Sequence, residues 1–114
     1  MSAGLTTHVL DTANGKPAAG IQISLYRWHG DTRELLKQTV TNADGRTDEP
    51  LVARGSLQAG RYELVFEVGD YFGLIGQNRF LESVPIHFGI SDVTAHYHVP
   101  LLVSPWSYST YRGS

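Results

Sequence analysis

Residues 61–68 read RYELVFEV, and they place an apolar side chain at every second position. The apolar set is Tyr62, Leu64, Phe66 and Val68, and it alternates with Arg61, Glu63, Val65 and Glu67. Because successive side chains of a β-strand point to opposite faces, one face of this segment is apolar. The stretch therefore predicts a half-buried antiparallel strand.

The same alternation recurs along the rest of the chain. The further runs are LTTHVLD (5–11), IQISLYRW (21–28), ELLKQTVTN (34–42), VPIHFGI (84–90), AHYHVPLLV (95–103) and SYSTYRG (107–113), with a short one near Leu51 and Val52. Turn signals such as Asn14-Gly15 and Asp44-Gly45 separate them. Only GDYFGLIGQ (69–77) lacks alternation, and it predicts one or two helical turns. Seven or eight strands with this spacing indicate an all-β sandwich.

Size and composition limit the classes of protein. The 114 residues suit a single domain over 1–114, and the absence of cysteine excludes disulfides and thiolate metal sites. Nine Lys and Arg against eleven Asp and Glu, without a basic run, make nucleic acid an unsuitable partner. No run approaches the roughly 18 apolar residues of a spanning helix, and the first residues do not resemble a secretory leader. We expect a soluble cytoplasmic protein without a membrane partner; the sequence does not report on a leader removed beforehand.

Three histidines are candidates for chemistry. His96 and His98 are two residues apart on a predicted strand, so both imidazoles point to one face, about 6.5 Å apart along the strand. Such groups act as general bases, general acids or metal ligands, although most polar strand residues simply face water. His8 lies on another predicted strand. The three histidines lack the spacing of a known ligand motif, so no metal site is predicted.

Arg46 follows Asp44-Gly45 and is predicted to project from a turn. Its charge and planar set of donors suit an anionic substrate or a developing oxyanion, whereas a solvated turn arginine is the simpler alternative. The last predicted strand presents Ser107, Ser109 and Tyr111 on one face, which also fits a soluble edge strand. No GxSxG motif is present, so histidine-activated water is favoured over a covalent serine mechanism.

Three stretches resemble one enzyme family. LTTHVLDTANGKPAAGIQISLYRW, TNADGR and HYHVPLLVSPWSYSTYRGS are similar to the 5-hydroxyisourate hydrolases, the transthyretin-related enzymes of urate breakdown. HVLD near the start and the terminal YRGS are the most specific of these marks, and the likeness runs from Leu5 to Ser114. The chain departs from the family pattern at Leu81-Glu82, where Phe-Pro is expected.

The resemblance implies a fold and an activity. The fold is a transthyretin-like eight-stranded β-sandwich of two four-stranded sheets with one short helix. The activity is hydrolysis of 5-hydroxyisourate to 2-oxo-4-hydroxy-4-carboxy-5-ureidoimidazoline, without a cofactor. The implied assembly is a homotetramer, a dimer of dimers, with active sites between dimers. The implied catalytic residues are His8, Arg46 and His98, with Tyr111 and Ser114 contacting substrate.

Two points stay open at the level of sequence. Either His98 or His8 could be the general base, since sequence does not distinguish two imidazoles, and His8 could instead set the tautomer of His98. Two other functions also fit the sandwich. One is a non-catalytic small-molecule carrier of the transthyretin type, which would favour an apolar channel. The other is an interaction module that pairs through edge strands.

Overall fold

A computed structural model describes residues 4–113 of the chain. Ten strands and one helix occur in this range. The strands are β1 (Leu5–Thr6), β2 (Val9–Asp11), β3 (Lys16–Pro17), β4 (Gln22–His29), β5 (Thr32–Val40), β6 (Gly60–Phe66), β7 (Val84–Ile90), β8 (Tyr97–His98), β9 (Leu101–Val103) and β10 (Tyr108–Thr110). The helix, α1, spans Val68–Leu74, within the region predicted to be helical. It is too short to cross a membrane, and residues 4–113 contain no other α-helix.

The strands form two four-stranded sheets, ordered β5-β4-β6-β7 and β10-β9-β2-β3. The parallel pair of β1 and β8 extends the second sheet. The ladder continues between this pair and the pair of β2 and β9 through two main-chain hydrogen bonds. The Val99 N–H donates to the Thr6 carbonyl and the Leu101 N–H to the His8 carbonyl, both at 2.9 Å. Counting β1 with β2 and β8 with β9 as two interrupted strands gives eight strands. The predicted eight-stranded sandwich is therefore confirmed.

The hydrophobic core lies between the two sheets. In β6 the predicted apolar face is buried, with Tyr62, Leu64 and Phe66 all at most 3% exposed. Glu63, on the opposite face, is also buried. It accepts a hydrogen bond from Trp28 Nε1 and lies 3.2 Å from Arg33 Nη1, because β6 is a central strand whose outer face is covered by its neighbours.

Two hydrogen bonds, from Gly69 and Tyr71, tie the helix to its neighbours. Near its start, the Gly69 N–H donates to the carbonyl of Glu82 at 2.8 Å. The side chain of Glu82, in the segment that departs from the family pattern, binds Arg79 at 2.8 Å. The Tyr71 hydroxyl donates to the buried Asp11 carboxylate at 2.7 Å. The Tyr71 bond connects α1 to β2, and the side of that sheet away from the core carries half-buried side chains.

The side of the β10-β9-β2-β3 sheet that points away from the core is here called the outer face. Leu10 and Leu102 are paired on it and half-buried, whereas the residues on either side of each are buried in the core. Thr6 and His98 are paired in the same register on β1 and β8, so their side chains share this face.

Candidate active site

The centre of the candidate site is a threonine hydroxyl between two imidazoles. Thr6 Oγ1 lies 2.9 Å from His98 Nδ1 and 3.3 Å from His96 Nε2. The His96 and His98 rings stack with their centroids 6.4 Å apart and an interplanar angle of 12°. The two-residue spacing therefore places both imidazoles on one face, as predicted.

His8 lies in the irregular step between β1 and β2 and is half-buried. Its Nε2 is 2.9 Å from the carbonyl oxygen of Asp44. A carbonyl only accepts hydrogen bonds, so Nε2 carries the proton and the Nδ1 of neutral His8 is unprotonated. The imidazole is held by the turn that carries Arg46, and not by a direct bond to His98.

The turn before Arg46 is rigid and requires glycine. Asn42 Oδ1 accepts from the N–H groups of Asp44 at 2.9 Å and Arg46 at 3.2 Å. Gly45 has a φ of +75°, and a Cβ there would collide with the carbonyl of Val9 and lie 3.3 Å from the His8 ring. The Gly45 carbonyl also accepts from the Val9 N–H at 2.8 Å. The Asp44-Gly45-Arg46 sequence thus fixes the turn against His8.

His98 interacts electrostatically with both Arg46 and His8. The pKa of His98 is lowered from 6.5, first by burial and then by electrostatic interactions with Arg46, His96 and His8. Arg46 itself is exposed, so its guanidinium is accessible to a ligand. A neutral imidazole that interacts electrostatically with an exposed guanidinium combines a base with an anion-stabilising group.

Residues 112 and 113 pack against β8, the strand that contains His98, and against His96 just before it. The Gly113 N–H donates to the His98 carbonyl at 2.7 Å, and a Cβ on Gly113 would lie 2.6 Å from His98 Cδ2. Arg112 donates from Nη2 to the His96 carbonyl at 3.2 Å, with its guanidinium 4.3 Å from the centre of the Tyr97 ring. The YRG segment therefore holds β8 in place. Ser114, predicted to contact substrate, lies outside the described residues.

Tyr111 lines a cavity to which none of the three candidate histidines contributes. It is 60% exposed and lines a cavity of about 250 Å³ together with Phe88 and Val99. The lining of that cavity does not include His8, Arg46 or His98. The prediction that Tyr111 contacts substrate therefore stays a prediction.

Among residues 4–113, no group of three or more histidines and carboxylates is close enough to hold a metal ion. The site contains two groups that were not predicted from the sequence, the Thr6 hydroxyl and the main-chain carbonyl of Asp44. Thr6 shares a face with His8 in the alternation of residues 5–11, which is a weak signal. Its contact with His98, which is 92 residues further along the chain, follows from the parallel pairing of β1 with β8.

Comparisons with known proteins show which family the chain resembles. The model of the HIUase/Transthyretin family matches residues 5–113. A 5-hydroxyisourate hydrolase from Deinococcus radiodurans is 59% identical over 114 residues, which cover 97% of this chain and 96% of that protein.

Two solved structures share the fold. A crystal structure of (S)-allantoin synthase matches with a TM-score of 0.90 and 44% identity; the match covers all of this chain but only 46% of that longer chain. Transthyretin from Sparus aurata matches with a TM-score of 0.89 and 26% identity, over 97% of both chains. Together with the family match over residues 5–113, these likenesses show that the chain belongs to the HIUase/Transthyretin family.

Proposed function

We propose that this protein hydrolyses 5-hydroxyisourate to 2-oxo-4-hydroxy-4-carboxy-5-ureidoimidazoline. The observation that carries the proposal is the position of His98, an imidazole with a lowered pKa among Arg46, His8 and His96. The 59% identity to a protein named 5-hydroxyisourate hydrolase supports the same reaction. The chemistry is opening of a ring at an amide-type carbonyl, and it requires no cofactor.

In this mechanism His98 is the general base. It accepts a proton from water while the water oxygen bonds to the ring carbonyl carbon. Negative charge develops on the carbonyl oxygen, and the exposed Arg46 guanidinium stabilises it. The ring C–N bond then breaks, and the departing nitrogen takes the proton back from the imidazolium.

The structure favours His98 over His8 as the base. Burial, and then the neighbouring Arg46, His96 and His8, lower the pKa of His98 from 6.5, so it is neutral near pH 7. His8 is oriented by its bond to the Asp44 carbonyl, which leaves Nδ1 as its acceptor. We assign His8 to orienting the substrate or the water, where one well-placed acceptor is sufficient.

We also propose a homotetramer, a dimer of dimers, in which a second copy covers the outer face. The histidines lie on this face, next to the half-buried Leu10 and Leu102. Ser109 on β10 is paired with Leu102, so its side chain lies on the same face. A partner on this face would close the site from water, and Tyr111 and Ser114 are assigned as substrate contacts of the closed site.

A transthyretin-type carrier is the alternative function within the family. The site contains three imidazoles and a guanidinium, whereas a pocket for an apolar ligand is lined mainly by apolar groups. The charges therefore favour the enzyme.

The direct test generates 5-hydroxyisourate in place from urate and urate oxidase. Its ultraviolet decay is followed with and without this protein and with Arg46→Ala, after subtracting spontaneous decay. Acceleration that is lost in the variant supports the proposal. Decay at the spontaneous rate in the presence of the folded wild-type protein contradicts it and favours the carrier.

A further inference from the structure

We propose that Thr6 is a positioning residue that fixes the tautomer of His98, with Nδ1–H donating to Thr6 Oγ1 and Nε2 left unprotonated. This inference deepens the proposed function and rests on it. It starts from the contacts of one hydroxyl with two imidazoles, at 2.9 Å to His98 Nδ1 and 3.3 Å to His96 Nε2.

Counting hydrogens leaves two arrangements. A threonine hydroxyl has one proton to donate and two lone pairs that accept, so towards His98 Nδ1 it either accepts or donates. In the first arrangement His98 Nδ1–H donates to Thr6, and the Thr6 proton is available to His96 Nε2. In the second both directions are reversed, and neutral His98 carries its proton on Nε2.

Only the first arrangement produces an accessible base. With Nδ1 protonated, the lone pair of neutral His98 is on Nε2, away from Thr6. In the reversed arrangement the lone pair is on Nδ1 and is already occupied by the Thr6 hydroxyl, so water cannot reach it. General base catalysis requires an acceptor within hydrogen-bond reach of the attacking water.

The packing keeps the ring in this position. Thr6 is β-branched and lies in β1, paired directly with His98 on β8, so its side chain has little rotational freedom. On another side of the imidazole, Gly113 approaches Cδ2 so closely that it leaves no room for a Cβ. The ring is thus held between a hydrogen bond at Nδ1 and van der Waals contact at Cδ2.

The chain of hydrogen bonds also stabilises the protonated intermediate. When Nε2 takes a proton from water, the positive charge spreads over the ring, and Nδ1–H continues to donate to Thr6. The Thr6 proton is in turn available to His96 Nε2. The hydroxyl therefore acts through His98, without contact with the reacting atoms.

The test measures the tautomer directly and then its effect on turnover. Imidazole ¹⁵N chemical shifts of histidine-labelled wild-type protein are recorded at pH 7.5. We expect His98 to show a protonated Nδ1 and an unprotonated Nε2. The kcat and KM for 5-hydroxyisourate are then compared for wild type, Thr6→Val, Thr6→Ser and Thr12→Val. Thr12 is a matched control because its hydroxyl bonds the Val103 carbonyl, remote from the histidines.

Thr6→Val keeps the shape of threonine and removes the hydroxyl. We expect a mixture of His98 tautomers and a kcat lower by about tenfold, the equivalent of one hydrogen bond, with KM little changed. Thr6→Ser restores both readouts, and Thr12→Val matches wild type.

Several results would overturn the inference. Wild-type His98 protonated on Nε2 excludes the proposed tautomer without recourse to any variant. Wild-type kcat in Thr6→Val overturns the role of Thr6 alone, because the enzyme is then shown to work. No turnover by the wild-type protein overturns the proposed function, and the role of Thr6 in it.

Discussion

At the scale of single residues, the protonation state of His98 is the property with the most direct consequence. Its pKa lies below 6.5, first because of burial and then because of Arg46, His96 and His8. The imidazole is the active base only when neutral, so activity is retained down to pH 6.5 and is lost as the pH falls through the lowered pKa. We expect the acidic limb of the kcat/KM profile to have its midpoint below pH 6.5. A midpoint at or above that value, or a flat profile to pH 5, would contradict this.

The second prediction at this scale concerns Asp11 and Tyr71, which join β2 to α1. Burial alone would raise the pKa of Asp11, but hydrogen bonds from Asn14 and Tyr71 outweigh it and lower the pKa below 3.8. The unfolded carboxyl is therefore protonated first as the pH falls. This contribution to stability is present above pH 3.8 and is lost as the pH falls through the lower, folded-state pKa.

Tyr71→Phe removes one donor to Asp11 and keeps the ring. We expect the free energy of unfolding at pH 7 to fall by about 1 kcal/mol, measured by urea denaturation. Tyr26→Phe is the control, since the ring of Tyr26 packs under the Arg33 guanidinium at 3.8 Å and that contact is retained. Equal stability of Tyr71→Phe and wild type would show that the Asp11 contact contributes nothing.

At the scale of elements, Gly113 determines how closely the last segment approaches β8. In Gly113→Ala the new methyl would lie 2.6 Å from His98 Cδ2, so the ring or the strand must shift. We expect kcat to fall about tenfold or more, because a displaced base loses its reach to water, while the far-ultraviolet spectrum stays unchanged.

Gly89→Ala is the matched control for that variant. Gly89 lies in β7, and a Cβ there would have only ordinary contact, 3.8 Å from the Gly60 carbonyl. We expect this variant to keep wild-type kcat. If Gly113→Ala is as active as Gly89→Ala, the close approach to His98 has no role in catalysis.

The elements were predictable where alternation is local. VPIHFGI coincides with β7, and GDYFGLIGQ overlaps α1, because each pattern reports which faces are buried. The break of the first strand at Thr7 and His8 was not predictable, since the alternation continues through it. The contact of Thr6 with His98 depends on parallel pairing between distant segments, which no short-range pattern encodes.

At the scale of the whole molecule, the outer face predicts the assembly. We expect light scattering to give about four times the 12.6 kDa mass of the chain. Leu102→Glu places a charge on that face and should produce a smaller species with less activity. Leu74→Glu changes a leucine that is 86% exposed at the end of α1, and should remain tetrameric. A wild-type monomer would contradict the proposed assembly.

The central claim is that His98 is the general base of a hydrolase, and single His→Asn variants test it most directly. The decay of 5-hydroxyisourate is followed at pH 7.5 with wild type, His98→Asn and His8→Asn. The account predicts that His98→Asn lowers kcat by about a hundredfold or more, because the water then has no neutral imidazole to accept its proton. Near-normal turnover by folded His98→Asn would contradict it, and a large loss confined to His8→Asn would transfer the role of base to His8.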